Sequence, residues 1–183
     1  RPEVHDSDGL SIRMGTGERV WRPISNDSGK LELSIFNMSK CDGFGLLQRD
    51  RRFSAYEDNE AAYHQRPALW IEPTSNWGAG RVMLLELPTT KESDDNVVAM
   101  WEPEKIPQPG DRIEFSYRQH WTMDKDPSQA GGYVVATRSG VHDWQAEQRT
   151  IVVEFAGTNL SKDSETPLSA NVEAVGANAE KIK

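Results

Sequence analysis

Cysteine is scarce in this chain. Only Cys41 among its 183 residues carries a thiol. A lone thiol excludes a disulfide within the chain, and no Cys cluster suggests structural zinc. Long apolar runs are also missing. None approaches the roughly 18 residues that a membrane helix needs, so a membrane-embedded chain is not expected. Basic residues are outnumbered, with 21 Lys and Arg against 29 Asp and Glu and a formal net charge of -8. Such a surface repels nucleic acid and anionic membranes, so neither is expected as a partner. The four histidines, at positions 5, 64, 120 and 142, have no metal-ligand spacing. No serine sits in a G-x-S-x-G setting, and "GTGERV" lacks the Lys-Ser/Thr that follows a phosphate loop. No metal and no cofactor is therefore expected.

Helix signals are few. The one candidate is "YEDNEAAYHQ", Tyr56 to Gln65, with early acids, two alanines and a stop before Pro67. Strand signals dominate. "LELSIFNM" alternates Leu31, Leu33 and Ile35 with polar partners, the pattern of a strand with one apolar face. "ALWIEP" and "RVMLLELP" are separated by "TSNWGAG", whose Gly78 and Gly80 fit a wide hairpin loop. "NVVAMW" follows, then "RIEFSYRQHW" with Ile113, Phe115 and Tyr117 alternating before Trp121, then "YVVATRS" and "TIVVEFAG". Short strands recurring between turn residues predict a mostly-β chain built as a sandwich. Six tryptophans argue against disorder.

Two acidic strings invite a chemical reading. In "PTTKESDDNVVAMW", Glu92, Asp94 and Asp95 abut an apolar run. The residues alone fit either a solvated turn that caps a strand or a carboxyl held at the edge of a pocket for acid–base work. A carboxyl at such a border is partly desolvated, which favours its proton-donating form. In "VHDSDG", His5, Asp6 and Asp8 fit an Asx turn equally well. An EF-hand is not supported, because the later acidic positions and the closing Glu are missing.

Five strings taken in order, "RPEVHDSDGL", "GERVWRP", "GFGLLQRDRRFSAYED", "RPALWIEPTSNWGAGRVMLLELPT" and "DDNVVAMWEP", resemble the OpgG/OpgD (MdoG) family of glucan biosynthesis proteins. The resemblance is strong over about residues 1 to 120. It implies a periplasmic protein of a Gram-negative bacterium that serves osmoregulated periplasmic glucans. It implies a large β-sandwich of the galactose-mutarotase-like supersandwich type, followed by a smaller immunoglobulin-like domain. Residues 1–140 would be the C-terminal part of the sandwich and residues 141–183 the start of the immunoglobulin-like domain. The family is described as hydrolysing β-1,2-glucan with inversion. That chemistry needs an acid at the leaving oxygen and a base that activates water. By the resemblance, Asp95 inherits the acid role, Glu92 supports it, and Asp94 is the neighbour to test against it. Asp6 is the first choice for the base and Asp8 the second, with His5 orienting one of them. The base is thought to act through water and sugar hydroxyls rather than by direct contact.

Arg49 and Tyr56, from "LLQRDRRFSAYED", are chosen as groove residues, because Arg and Asp bond neutral hydroxyls in several directions. A surface salt-bridge network explains that string equally well. Trp77, in a Gly-rich loop, is chosen as a sugar platform, since indole faces stack on glucose rings. Trp70 and Trp101 lie in strands and are expected in the core. The implied partner is β-1,2-glucan. A rival class is a non-catalytic glucan-binding or assembly factor that works with a membrane glucan synthase. Both ends of the chain are expected to be cuts through a longer protein. Unpaired strand edges in an isolated piece are then expected to drive self-association into a homo-oligomer.

Overall fold

A computed structural model describes residues 7–24, 29–89, 94, 96–123, 133–142, 145–157 and 171. The described chain is mostly β, with antiparallel pairing throughout. One sheet has five strands in the order β2 (Arg19–Pro23), β1 (Gly9–Met14), β4 (Cys41–Leu47), β5 (Ala68–Pro73), β8 (Tyr117–Thr122). A second has three, in the order β3 (Glu32–Met38), β6 (Gly80–Glu86), β7 (Val97–Pro103). Leu10, Ile12 and Phe44 from the first sheet meet Val82, Leu84 and Met38 from the second in one buried cluster. These two sheets are therefore the layers of a sandwich, each lending every second side chain to the core. β9 (Tyr133–His142) and β10 (Gln145–Ala156) pair with each other as a separate two-stranded ribbon.

The sequence of β6 shows why the strand forms. Val82 and Leu84 are fully buried, while Arg81, Met83 and Leu85 point the other way. Burying each of those two aliphatic side chains contributes about 1.5–3 kcal/mol. Glu86 occupies the next inward position and is also fully buried, so a charge ends the apolar row.

Both faces of the five-stranded sheet are occupied. On the face away from β3, β6 and β7, the indoles of Trp21 and Trp70 lie over glycines. A Cβ added to Gly9 would run into Trp21, and one added to Gly43 into Trp70. Trp70 forms a small core with Leu47 and Ala68, against which Trp21 packs. Cys41 is buried, and burial pushes its thiol up to about 11.

Three expectations need correction, and one phase is left open by the sequence. The one or two helical turns expected around Tyr56–Gln65 lie at its two edges, as α1 (Phe53–Tyr56) and a 3-10 turn at Tyr63–Gln65, with no helix between them. Glu57 and Ala62 take positive φ, 53° and 50°, and each interrupts the helical path. "TSNWGAG" is no hairpin loop. β5 and β6 belong to different sheets, so it carries the chain across the sandwich. The run from Ile113 to Phe115 is irregular, and the strand begins only at Tyr117. In β3 the apolar phase faces away from the core. Leu33 and Ile35 are 50% and 46% exposed, whereas Met38, of the opposite phase, joins the core cluster.

Candidate functional site

One end of the sandwich collects most of the polar chemistry. β1 is extended by one residue at its start. The Asp8 N–H donates to Leu47 O at 2.9 Å, and Ile24 N–H donates to Asp8 O at 3.1 Å. Asp8 is thus pinned between the ends of β2 and β4. Its carboxylate Oδ2 accepts the Arg49 backbone N–H at 3.0 Å and Arg49 Nε–H at 3.3 Å. Both side chains are only 13% exposed. The Arg49 guanidinium carbon stands 4.0 Å from the centroid of the Trp21 ring. Arg49 is therefore held by a carboxylate and by an aromatic face at once.

Burial pushes the Asp8 carboxyl above its ordinary value of 3.8, while the charge and hydrogen bonds of Arg49 pull the other way. Oδ1 of Asp8 is buried and has no partner of good hydrogen-bond geometry, although the Asp50 N–H also favours the charged form.

The connection after Arg49 closes this end. Gln48 is buried, and its Nε2 donates to Tyr63 O at 2.8 Å. Tyr56 is also buried, with its ring 6.3 Å from that of Tyr63. It packs inside the connection. Arg51 donates to Arg66 O at 2.6 Å and to Thr122 O at 3.3 Å, tying the connection to the end of β8.

The second acidic string leaves from the same end. β6 stops at Glu86, and the next residue, Leu87, donates its N–H to Asn96 O at 2.7 Å. Asn96 is buried, and its Nδ2 reaches Leu87 O at 3.5 Å. Asp94 is exposed and accepts the Thr89 hydroxyl at 2.6 Å. Asp95 and Glu92, expected as the acid and its support, lie outside the described residues, as do Asp6 and His5. Their described neighbours, Asp8 and Asn96, fix the end of the sandwich from which both strings depart.

Arg22 joins the two sheets at that end. It sits one residue before Pro23, which is paired with Gly9. Arg22 NH2 contacts Glu86 Oε2 at 2.8 Å and Glu32 Oε2 at 3.3 Å, and its Nε donates to Ser34 Oγ at 3.1 Å. It also donates to Pro23 O. Glu86 is fully buried, so Arg22 supplies the counter-charge that such a carboxylate requires.

Trp77 stands elsewhere. It helps line a cavity of about 150 Å³ with Arg13, Lys40, Asp42, Glu72 and Asn76. That cavity also touches Cys41, which pairs with Met14 at the far end of β1. Met14 is five residue steps along β1 from Gly9, so the cavity lies about 17 Å along the strand from the Asp8 end. The Trp77 indole N–H donates to Ser116 O at 3.1 Å, and its ring is flanked by Trp101, Phe115 and Tyr117 at 5.8, 5.3 and 6.0 Å. Beside this cavity, Glu72 accepts from His120 at 2.8 Å and pairs with Arg118 at 3.3 Å. The His120 hydrogen bond is the main reason its carboxyl is held below the usual range. Trp70 is in the core, as its strand position predicts. Among the described residues, no group of three or more His, Cys, Asp or Glu could hold a metal ion.

Sequence reasoning missed three of these features: Trp21 under Arg49, the Arg22–Glu86–Glu32 network, and the Glu72–His120–Arg118 cluster. "VWRP" offered a signal for the first two, because an aromatic and a cation alternate there across a strand. Nothing local marks Glu86 as buried rather than as a strand end in water.

The sequence also has close matches. A family model described as "Periplasmic glucan biosynthesis protein, MdoG" matches residues 1–183. "Glucans biosynthesis protein G" of Pseudomonas putida KT2440 is 42% identical over 193 residues, covering 100% of this chain and 34% of that protein. "Glucans biosynthesis protein D" of Xanthomonas axonopodis pv. citri is 43% identical over 180 residues, covering 96% of this chain and 33% of that protein. "Glucans biosynthesis protein G" of Pseudomonas aeruginosa PAO1 is 43% identical over 195 residues, covering 100% and 37%. The chain spans about a third of the length of these curated relatives. Identity to G-type and D-type relatives is nearly equal, so it does not choose between the two types.

Proposed function

We infer a glucan-processing role from one premise: this chain belongs to the MdoG family of periplasmic glucan biosynthesis proteins. Within that role, the full-length protein binds β-1,2-glucan in the periplasm and hydrolyses it with inversion. Asp95 is the general acid, and Glu92 supports its protonated form. Asp6 is the base, reached through water and sugar hydroxyls. Asp8 and Arg49 hold the chain of hydroxyls beside it. Residues 1–140 contribute to the glucan-processing sandwich, and residues 141–183 begin the immunoglobulin-like domain.

One observation supports this reading above the others. The described ends of both acidic strings, Asp8 and Asn96, emerge at one end of the sandwich, although they lie far apart in sequence and in different sheets. An inverting glycosidase needs two carboxyls across one groove. Strings at opposite ends of the sandwich could not meet that requirement.

The test uses linear β-1,2-glucan and the full-length protein. Wild type is expected to release reducing ends. Asp95→Asn keeps the shape and removes the proton, so it is expected to lose about 10²- to 10⁴-fold in turnover while still binding glucan. Turnover above half of normal in that variant removes Asp95 from the acid role and turns attention to Asp94. Binding without reducing-end release by wild type favours the assembly factor that passes glucan to a membrane synthase.

A further inference from the structure

The Arg22 network is larger than the fold alone requires. A sandwich core can be closed at its end by an aliphatic side chain, and replacing a buried ion pair with apolar residues of similar volume is often neutral or stabilising. Here a fully buried carboxylate, Glu86, is matched to an arginine from the opposite sheet. The positions of the two partners are informative. Arg22 is in β2, whose next two residues hold the start of β1: Pro23 pairs with Gly9, and Ile24 N–H bonds Asp8 O. Glu86 is the last residue of β6, and the next residue bonds Asn96 O. Asp8 and Asn96 are thereby linked by Ile24, Arg22, Glu86 and Leu87. Glu32 and Ser34 grip the same guanidinium from β3, which fixes its orientation as well as its charge.

We propose that Arg22 is a positioning residue for catalysis, holding Asp8 and Asn96 in fixed relation through its ion pair with Glu86. This rests on the glycosidase reading above. Arg22 itself need not touch glucan. Its planar fork meets Glu86, Glu32 and Ser34 together, which a lysine ammonium cannot reproduce with the same directionality. A small displacement between acid and base is costly, since a misplacement of about 1 Å can cost about 10²-fold in rate.

The test separates positioning from simple stability in the full-length protein. Arg22→Met or Glu86→Leu alone leaves a charge buried without its main partner, which destabilises the fold whatever the role of the pair. The informative variant is the double replacement Arg22→Met with Glu86→Leu, which removes both charges and keeps the end of the core filled. Its melting temperature is expected within a few degrees of wild type. Turnover on β-1,2-glucan is expected to fall about tenfold to a hundredfold with KM within twofold. Arg22→Lys, which keeps the charge, is expected to lie between the two. Hydrogen exchange is measured alongside, with no dependence on activity: amides of peptides containing Asp8 and Asn96 are expected to exchange faster together in the double variant, while those of β9 and β10 do not change. A stable double variant with normal turnover, or one in which the two peptides keep wild-type exchange, overturns the proposal. Wild type that cuts no glucan overturns the glycosidase reading instead, and the exchange result then decides alone whether Arg22 ties the two strings.

Discussion

Arg49 lies with its guanidinium carbon 4.0 Å from the ring centroid of Trp21, while its Nε donates to Asp8. The three residues come from three neighbouring strands of one sheet: Trp21 from the middle of β2, Asp8 just before β1 and Arg49 just after β4. Each supplies what the next lacks: an aromatic face, a delocalised cation and a buried carboxylate.

Lysine at position 49 cannot stack flat on an indole and reach a carboxylate in the same geometry. Arg49→Lys is therefore expected to cost about 1–2 kcal/mol, combining a cation–π contact with a charged hydrogen bond. Urea unfolding followed by far-UV circular dichroism measures it. A change below a few tenths of a kcal/mol means that the stacked arginine contributes nothing to stability.

Asp8 gives a pH signature. Burial raises its folded-state pKa above 3.8, so the folded protein holds this proton more tightly than the unfolded chain. The resulting stability is fully present below the unfolded value and is lost as pH rises through the folded pKa. Asp8→Asn has no such proton. The stability of wild type relative to Asp8→Asn is thus expected to be greater at pH 3.5 than at pH 7. A difference that instead grows with pH shows that the Arg49 charge outweighs burial.

Gly43 has φ of +155°, and a Cβ there would collide with the Trp70 ring. Gly43→Ala must therefore strain its backbone and push a core tryptophan off its floor. A loss of about 2–3 kcal/mol is expected, in the range of overpacked cores. Gly17→Ala is the control. Its φ is also positive, at +88°, but a Cβ there meets nothing, so it reports backbone strain alone. Equal losses in the two variants mean that the Trp70 contact costs nothing to disturb.

Much of the fold was legible before any coordinate. The strand runs in "LELSIFNM", "ALWIEP", "RVMLLELP" and "NVVAMW" all became strands, because period-2 alternation and bounding turn residues are local properties. The five quoted strings were enough to identify the family, because they preserve residue identity in order. They also marked the two acidic strings and Arg49. What local patterning does not encode is partnership. Alternation places Leu33 and Ile35 on one face of β3, but it does not say which face meets the core. That phase was set by Val82 and Leu84 of β6 packing against Leu10 and Ile12 of the other sheet. "TSNWGAG" reads equally well as a hairpin or as a crossing, and only the sheet assignments of β5 and β6 separate the two.

The site divides in the same way. Sequence alone named Asp8 and Arg49 as separate candidates. Tertiary structure made them a pair across 41 positions, put Trp21 beneath them, and joined Arg22 to Glu86 across 64. It also buried Tyr56 and set Trp77 at the other end of the strands. Residue type and spacing fix what a side chain can do and which local element it prefers. Burial, counter-charge and the distance between two acids arise only when segments remote in sequence close on one another, and the free energy of that closure lies in the packing between the sheets.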